Sequence, residues 1–175
     1  MREIDFRNDI LPLKDSLFRL ALRITLNKAE AEDVVQDTMM RVWKRREAMK
    51  EVEQMDAFCY TICRNLALDK MKRAEWRSRA ISADGGEQVE APDLSWNANP
   101  GRRTEQHDRV NLVRMIINKL PEKQRTAVQL RDFEGMSYKE IAEVMGITEE
   151  QVKVNIFRAR QTIKKKFIET ESYGL

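Results

Sequence analysis

The chain has 175 residues, enough for one domain or two small ones, and 35% of them are charged while Gly and Pro number only 6 and 4. So few turn-formers argue against a sheet-rich fold, and a formal net charge of +3 is too small to mark a partner by itself. Cys59, Cys63 and the single His107 cannot make the four-ligand set of a structural zinc site, so no metal is expected. No apolar run of about 18 residues exists and MREIDFRND lacks the apolar core of a signal peptide, which predicts a soluble, reduced, cytoplasmic chain.

Three helices are predicted in the first 75 residues. Leu13, Leu17, Leu20 and Ile24 make one apolar stripe, with Pro12 where a first turn tolerates it. Val35, Met39, Val42 and Trp43 make a second, after Glu30, Glu32 and Asp33, whose charge suits the positive end of a helix. The third starts near Asp56, taken as its N-cap, and runs through Phe58, Ile62, Leu66 and Met71. Three such stripes can close a small bundle, in which Cys59 and Cys63 are most simply buried helix residues, a redox pair being the alternative.

Two charge blocks lie on these helices. Glu30, Glu32, Asp33 and Asp37 form an acidic run that gives way to Arg41, Lys44, Arg45 and Arg46. It is either dipole-friendly solvated charge or a patch that docks on a basic partner. Between 64 and 79 six basic residues face only Asp69 and Glu75, a net of +4, along a polar stripe of Thr61, Arg64, Asn65, Leu68 and Lys72 continued by Arg73, Arg77 and Arg79. This is a solvated face or a nucleic-acid face.

From 80 to 101 periodicity fails: a Gly pair, two prolines, and Asp84, Glu87, Glu90 and Asp93 without a Lys or Arg predict a flexible acidic linker. Beyond it Val110, Val113, Ile116 and Ile117 form a stripe that ends at Leu120–Pro121, and PEKQRTAVQLRDF makes a helix closed by Glu134–Gly135.

Two short helices follow. Ser137 with Glu140 is one capping box and Thr148 with Gln151 a second, eleven residues later. Small Ala142 allows a close crossing, and Gly146 supplies the left-handed residue of a tight turn. That spacing is a helix-turn-helix, whose second helix enters the DNA major groove. On that helix Val152, Ile156, Ala159 and Ile163 should be buried, leaving Gln151, Lys153, Val154, Asn155, Phe157 and Arg158 outside. Residues 151–168 hold six Lys or Arg and no acid, which fits phosphate contact better than the solvated face of an ordinary helical hairpin.

Three stretches, AEAEDVVQDTMMRVWK (29–44), DAFCYTICRNLALDKMKR (56–73) and the run from LPEKQR to KKKF (120–167), resemble in order and spacing the bacterial extracytoplasmic-function (ECF) sigma factors of the sigma-70 superfamily. EDVVQDT, RNLALDKMKR and FRARQTIKK are the most telling segments. The resemblance implies an all-α protein of two small helical domains joined by a flexible linker: residues 1–79 for core polymerase and the −10 element, 80–107 as linker, and 108–170 as the −35-binding helix-turn-helix. It implies a non-enzymatic initiation factor, monomeric when free, that needs no cofactor or small-molecule substrate. Its partners would be core RNA polymerase (clamp helices and flap), promoter DNA and an anti-sigma factor.

By the same resemblance Asp33, Gln36, Asp37 and Arg41 bind the polymerase, with Trp43 either among them or in the core. The loop of residues 46–55 captures a base of the −10 element while Arg64, Asn65, Lys72 and Arg73 grip the strand. Lys153, Val154 and Phe157 align with positions that meet −35 DNA, beside Gln151, Asn155, Arg158, Lys164 and Lys165 on the same helix. Val154 suits a thymine methyl and Asn155 an adenine edge. The acidic linker would stand in for nucleic acid on the RNA exit path. The rivals are a helix-turn-helix activator or repressor with a sensing domain, which would bind palindromic DNA without polymerase, and a recombinase or nuclease, against which stands the lack of a metal-spaced carboxylate cluster.

Overall fold

The computed structural model, which describes residues 3–83 and 105–173, has seven α-helices and no strand among them, as the helical spacing of the apolar residues requires. The chain splits into two compact units, Met1–Leu94 and Ser95–Leu175.

In the first unit a π turn (Phe6–Ile10) and a 3-10 turn (Leu11–Leu13) carrying Pro12 lead into α1, Lys14–Thr25. Leu17, Leu20 and Ile24 are buried on it, as their spacing requires. Leu26 then takes the left-handed conformation (φ 56°), and Asn27 accepts a hydrogen bond from the Glu30 amide (3.0 Å) to start α2, Lys28–Lys44. The buried stripe of α2 is Ala31, Val34, Val35, Thr38 and Val42; Met39 is half-buried and Trp43 lies on the rim. After a 3-10 turn (Ala48–Glu51), whose Met49 is buried, α3 runs from Met55 to Ala83.

Asp56 is therefore not the cap of α3. It stands in the first turn, where its charge still meets the positive helix end. The helix also continues through residues 80–83, expected in the linker, because nothing before Gly85 breaks it. The four linker acids lie outside the described residues.

The three helices pack on one another, and buried polar bonds fix their register. The Tyr60 hydroxyl donates to Ser16 Oγ (2.7 Å), whose own hydroxyl donates to the Leu13 carbonyl (3.0 Å). Cys63 Sγ donates to the Leu17 carbonyl (3.4 Å). Cys59 and Cys63 are both buried, and burial pushes their thiols up to about 12. Both take the place of packing residues in the bundle, and the raised thiols disfavour the reactive thiolate.

The second unit is arranged around its last helix. Helices α4 (Glu105–Asn118), α5 (Glu122–Val128) and α6 (Tyr138–Met145) each pack against α7 (Glu149–Ser172). Ile117, Leu120, Val128 and Ala159 form a buried cluster, with Val113 and Ile163 against it. Val110, expected in the α4 stripe, is exposed, because α4 begins at Glu105 and its first turns extend past the packed region. The single helix expected over 121–133 is interrupted, its last five residues, Gln129–Phe133, widening into a π turn. Two buried polar side chains brace this corner: Arg125 Nη1 donates to the Asn118 carbonyl (3.0 Å), and Gln129 Nε2 donates to Glu134 Oε1 (3.2 Å).

Candidate nucleic-acid interface

The joint between α6 and α7 is built almost wholly from local bonds. Ser137 caps α6, accepting from the Glu140 amide (3.1 Å). The reciprocal half of this cap differs from the expected box, since Ser137 Oγ donates to the Glu140 carboxylate (2.9 Å). Gly146 sits at φ 65°, ψ 35°, and the Ile147 amide reaches back to the Ala142 carbonyl (3.2 Å), the mark of a left-handed helix end. Thr148 then forms a complete capping box: its hydroxyl accepts from the Gln151 amide (3.1 Å), and its own amide donates to Gln151 Oε1 (3.0 Å).

On α7, Val152, Ile156 and Ala159 are buried, and the opposite face is open. Lys153, Val154, Phe157, Arg158, Lys164 and Lys165 are all exposed there, Phe157 at 62%. Two polar members are partly committed within the helix. The Gln151 side-chain carbonyl serves the cap, and Asn155, half-buried, donates through Nδ2 to the Gln151 carbonyl (2.8 Å). That bond takes one of the two amide N–H groups of Asn155, so a bidentate grip on adenine must use the other together with Oδ1.

Charge on α7 is less free than its sequence suggests. Arg160 bonds Asp132 of the π turn through both guanidinium arms, with Nε at 3.1 Å, and this bond raises the arginine's proton affinity further. Asp132 lies 28 residues away, so no window along α7 could reveal the pair. Lys153 is steered too, its ammonium 5.5 Å from the Tyr138 ring centroid, on which the Arg131 guanidinium also rests (4.3 Å).

In the first unit Asp33, Gln36, Asp37 and Arg41 all stand exposed on α2. Their three- and four-residue spacing puts them on one face. Lys70 of α3 reaches over, 3.4 Å from Glu30 and 3.7 Å from Asp33, so the acidic end of this face is partly neutralised from inside the bundle. Trp43 at 42% exposure is no core residue: its ring meets Phe6 edge-on (5.4 Å), and the Arg46 guanidinium covers it (4.1 Å).

Along α3 the four expected strand-gripping residues divide. Asn65, Lys72 and Arg73 are exposed, but Arg64 is only 8% exposed. It follows Cys63 by one residue and precedes Ala67 by three, which sets it at the edge of the buried stripe instead of on the outer face. Arg64 is thus the least accessible of the four in the free chain. Trp76, four residues past Lys72 on the same helix, is 77% exposed.

Comparison with known proteins assigns both units. Residues 10–77 match the family model for sigma-70 region 2, and residues 111–163 match that for sigma-70 region 4. The ECF RNA polymerase sigma factor SigL of Mycobacterium tuberculosis is 31% identical over 149 residues, covering 85% of this chain and 80% of SigL. EcfG of Rhodopseudomonas palustris, also an ECF RNA polymerase sigma factor, is 29% identical over 157 residues, covering 90% and 82%. In fold the chain is similar to the sigma factor RpoE of Bartonella quintana, solved in complex with the anti-sigma factor NepR (TM-score 0.72, 24% identity, 93% and 96% covered). With one region model on each compact unit and a relative of this identity and coverage, the chain belongs to the ECF RNA polymerase sigma factors.

Proposed function

We propose that this chain is the promoter-selecting subunit of RNA polymerase, docking on the core enzyme with its first unit and gripping promoter DNA at two places. The observation that carries this reading is the match of region 2 and region 4 to separate compact units of one chain. A helix-turn-helix repressor would account for the second match and leave the first without a purpose.

In this reading residues 1–79, with the α3 extension to Ala83, form the polymerase and −10 domain, residues 108–170 the −35 domain, and the acidic stretch between them a spacer. Asp33, Gln36, Asp37 and Arg41 meet the clamp helices of core polymerase, a role supported by their lying together on an exposed polar face of α2. Asn65, Lys72 and Arg73 grip the −10 strand. Lys153, Val154 and Phe157 approach −35 bases, while Arg158, Lys164 and Lys165 hold phosphates. The second unit rests on the polymerase flap. The protein performs no chemistry itself, acts in the cytoplasm as a monomer when free, and is held in check by an anti-sigma protein, as the RpoE of Bartonella quintana is seen bound to NepR.

Avidity supplies the mechanism. One helix-turn-helix buries little surface and binds modestly alone. With both units seated on one polymerase, the second DNA contact becomes intramolecular and overall affinity rises without any new contact. Run-off transcription with purified core polymerase is the direct test. Adding the chain should create new start sites at a defined promoter set; identical start sites with and without it would refute the reading.

A further inference from the structure

One charge on the open face of α7 has the opposite sign to the rest. Glu149 and Glu150 open the helix directly after the Thr148 cap, and both are exposed. The positive helix end accounts for an acid in this turn, and Glu149 alone would supply it. Glu149 precedes buried Val152 by three residues and buried Ile156 by seven, which places it on the packed side of the helix. Glu150 stands elsewhere on the cylinder. It precedes Val154 by four residues and Phe157 by seven, so it continues their exposed stripe one turn nearer the N-terminus. The first residues of the second helix in such a unit are the ones that meet base edges in the major groove.

The fold does not offset this charge. Lys153, three residues on, leans over the Tyr138 ring (5.5 Å to its centroid), and Arg160 is taken by Asp132. Among the described residues no ion pair or side-chain hydrogen bond holds the Glu150 carboxylate. Brought against duplex DNA, it meets repulsion from the phosphates unless a donor on a base edge receives it. An ionised carboxylate can only accept. In the major groove the donors are cytosine N4 and adenine N6, whereas guanine and thymine present acceptors. Adenine N6 sits beside the N7 acceptor, which opposes a carboxylate, so cytosine is the edge that fits.

We infer that Glu150 selects a cytosine in the upstream promoter element, accepting a hydrogen bond from its N4 amino group. The inference rests on the −35 reading above and adds a specificity-determining residue to it.

The test uses holoenzyme assembled from the full chain and core polymerase, on one promoter found by run-off transcription. Each base pair of its upstream element is replaced in turn by the other three. Wild type should favour cytosine at one position by roughly 5- to 150-fold, the range of one good base contact. Glu150→Ala should flatten the preference at that position and leave the ranking at the others intact. Glu150→Gln, which keeps the size of the side chain, should move the preference there toward adenine, whose N6 and N7 a carboxamide matches. An unchanged profile in Glu150→Ala overturns the inference. So does an even gain in affinity on every sequence, which marks plain repulsion of phosphates. Wild-type preferences that include no cytosine overturn it as well, and leave the −35 reading standing. If wild-type holoenzyme is indifferent to every upstream base pair, the −35 reading fails first and the cytosine contact with it.

Discussion

Single side chains decide how much of the surface charge is usable. Arg160 is neutralised by Asp132, whereas Lys164 and Lys165 stand in solvent, although all three count alike in the sequence. Each free cation that neutralises a phosphate contributes roughly one unit to the salt slope of DNA binding. Lys164→Ala should therefore lower that slope by about one, and Arg160→Ala by much less, in a salt titration of holoenzyme on promoter DNA. Equal effects would mean that Asp132 releases Arg160 to the DNA. The pair itself is half-exposed and adds little to stability.

The buried thiols allow a pH prediction at the same scale. Folding raises Cys59 and Cys63 from the usual 9.0 to about 12, so the folded state disfavours the thiolate. Their contribution to stability is complete below about pH 9 and declines between there and about pH 12, as the unfolded chain loses protons that the folded chain keeps. Denaturant midpoints should accordingly fall less steeply over that range for Cys63→Ala than for wild type. Parallel curves would show that the thiols reach water in the folded protein.

At the level of elements, the α6–α7 joint is the most local structure in the molecule and the most open to dissection. A Cβ at Gly146 would meet nothing within 4 Å, so Gly146→Ala carries only the penalty of φ +65°. That penalty is about 1 kcal/mol, and Gly146→Asn should recover part of it. Thr148→Ala should cost about 1 kcal/mol by deleting the hydroxyl half of its capping box, while the backbone amide at 148 still reaches Gln151. Thermal unfolding of the full chain measures both. A neutral Gly146→Ala would mean that the turn relaxes to another geometry.

For the whole molecule, the proposed mechanism couples two DNA contacts through a third body, the polymerase. The free chain should bind promoter DNA weakly and with little sequence preference, and the holoenzyme far more tightly. Mobility-shift titrations with and without core polymerase check this. Strong, specific binding by the free chain would contradict the two-point mechanism.

The all-α class, the three stripes of the first bundle and the helix-turn-helix were all legible in the sequence, because each depends on residues within about one turn of each other. Leu17, Leu20 and Ile24 need only helical spacing to find the core, and Gly146 and Thr148 act on their immediate neighbours. What only the tertiary structure decided depends on residues distant in sequence. Arg64 is buried because α1 and α2 cover one side of α3, Lys70 dampens the acidic face from a different helix, and Arg160 finds Asp132 across the fold. Local periodicity specifies which residues form a helix and which face is apolar; the edge of that face, where charged residues either meet solvent or are claimed by a neighbouring element, is set by packing.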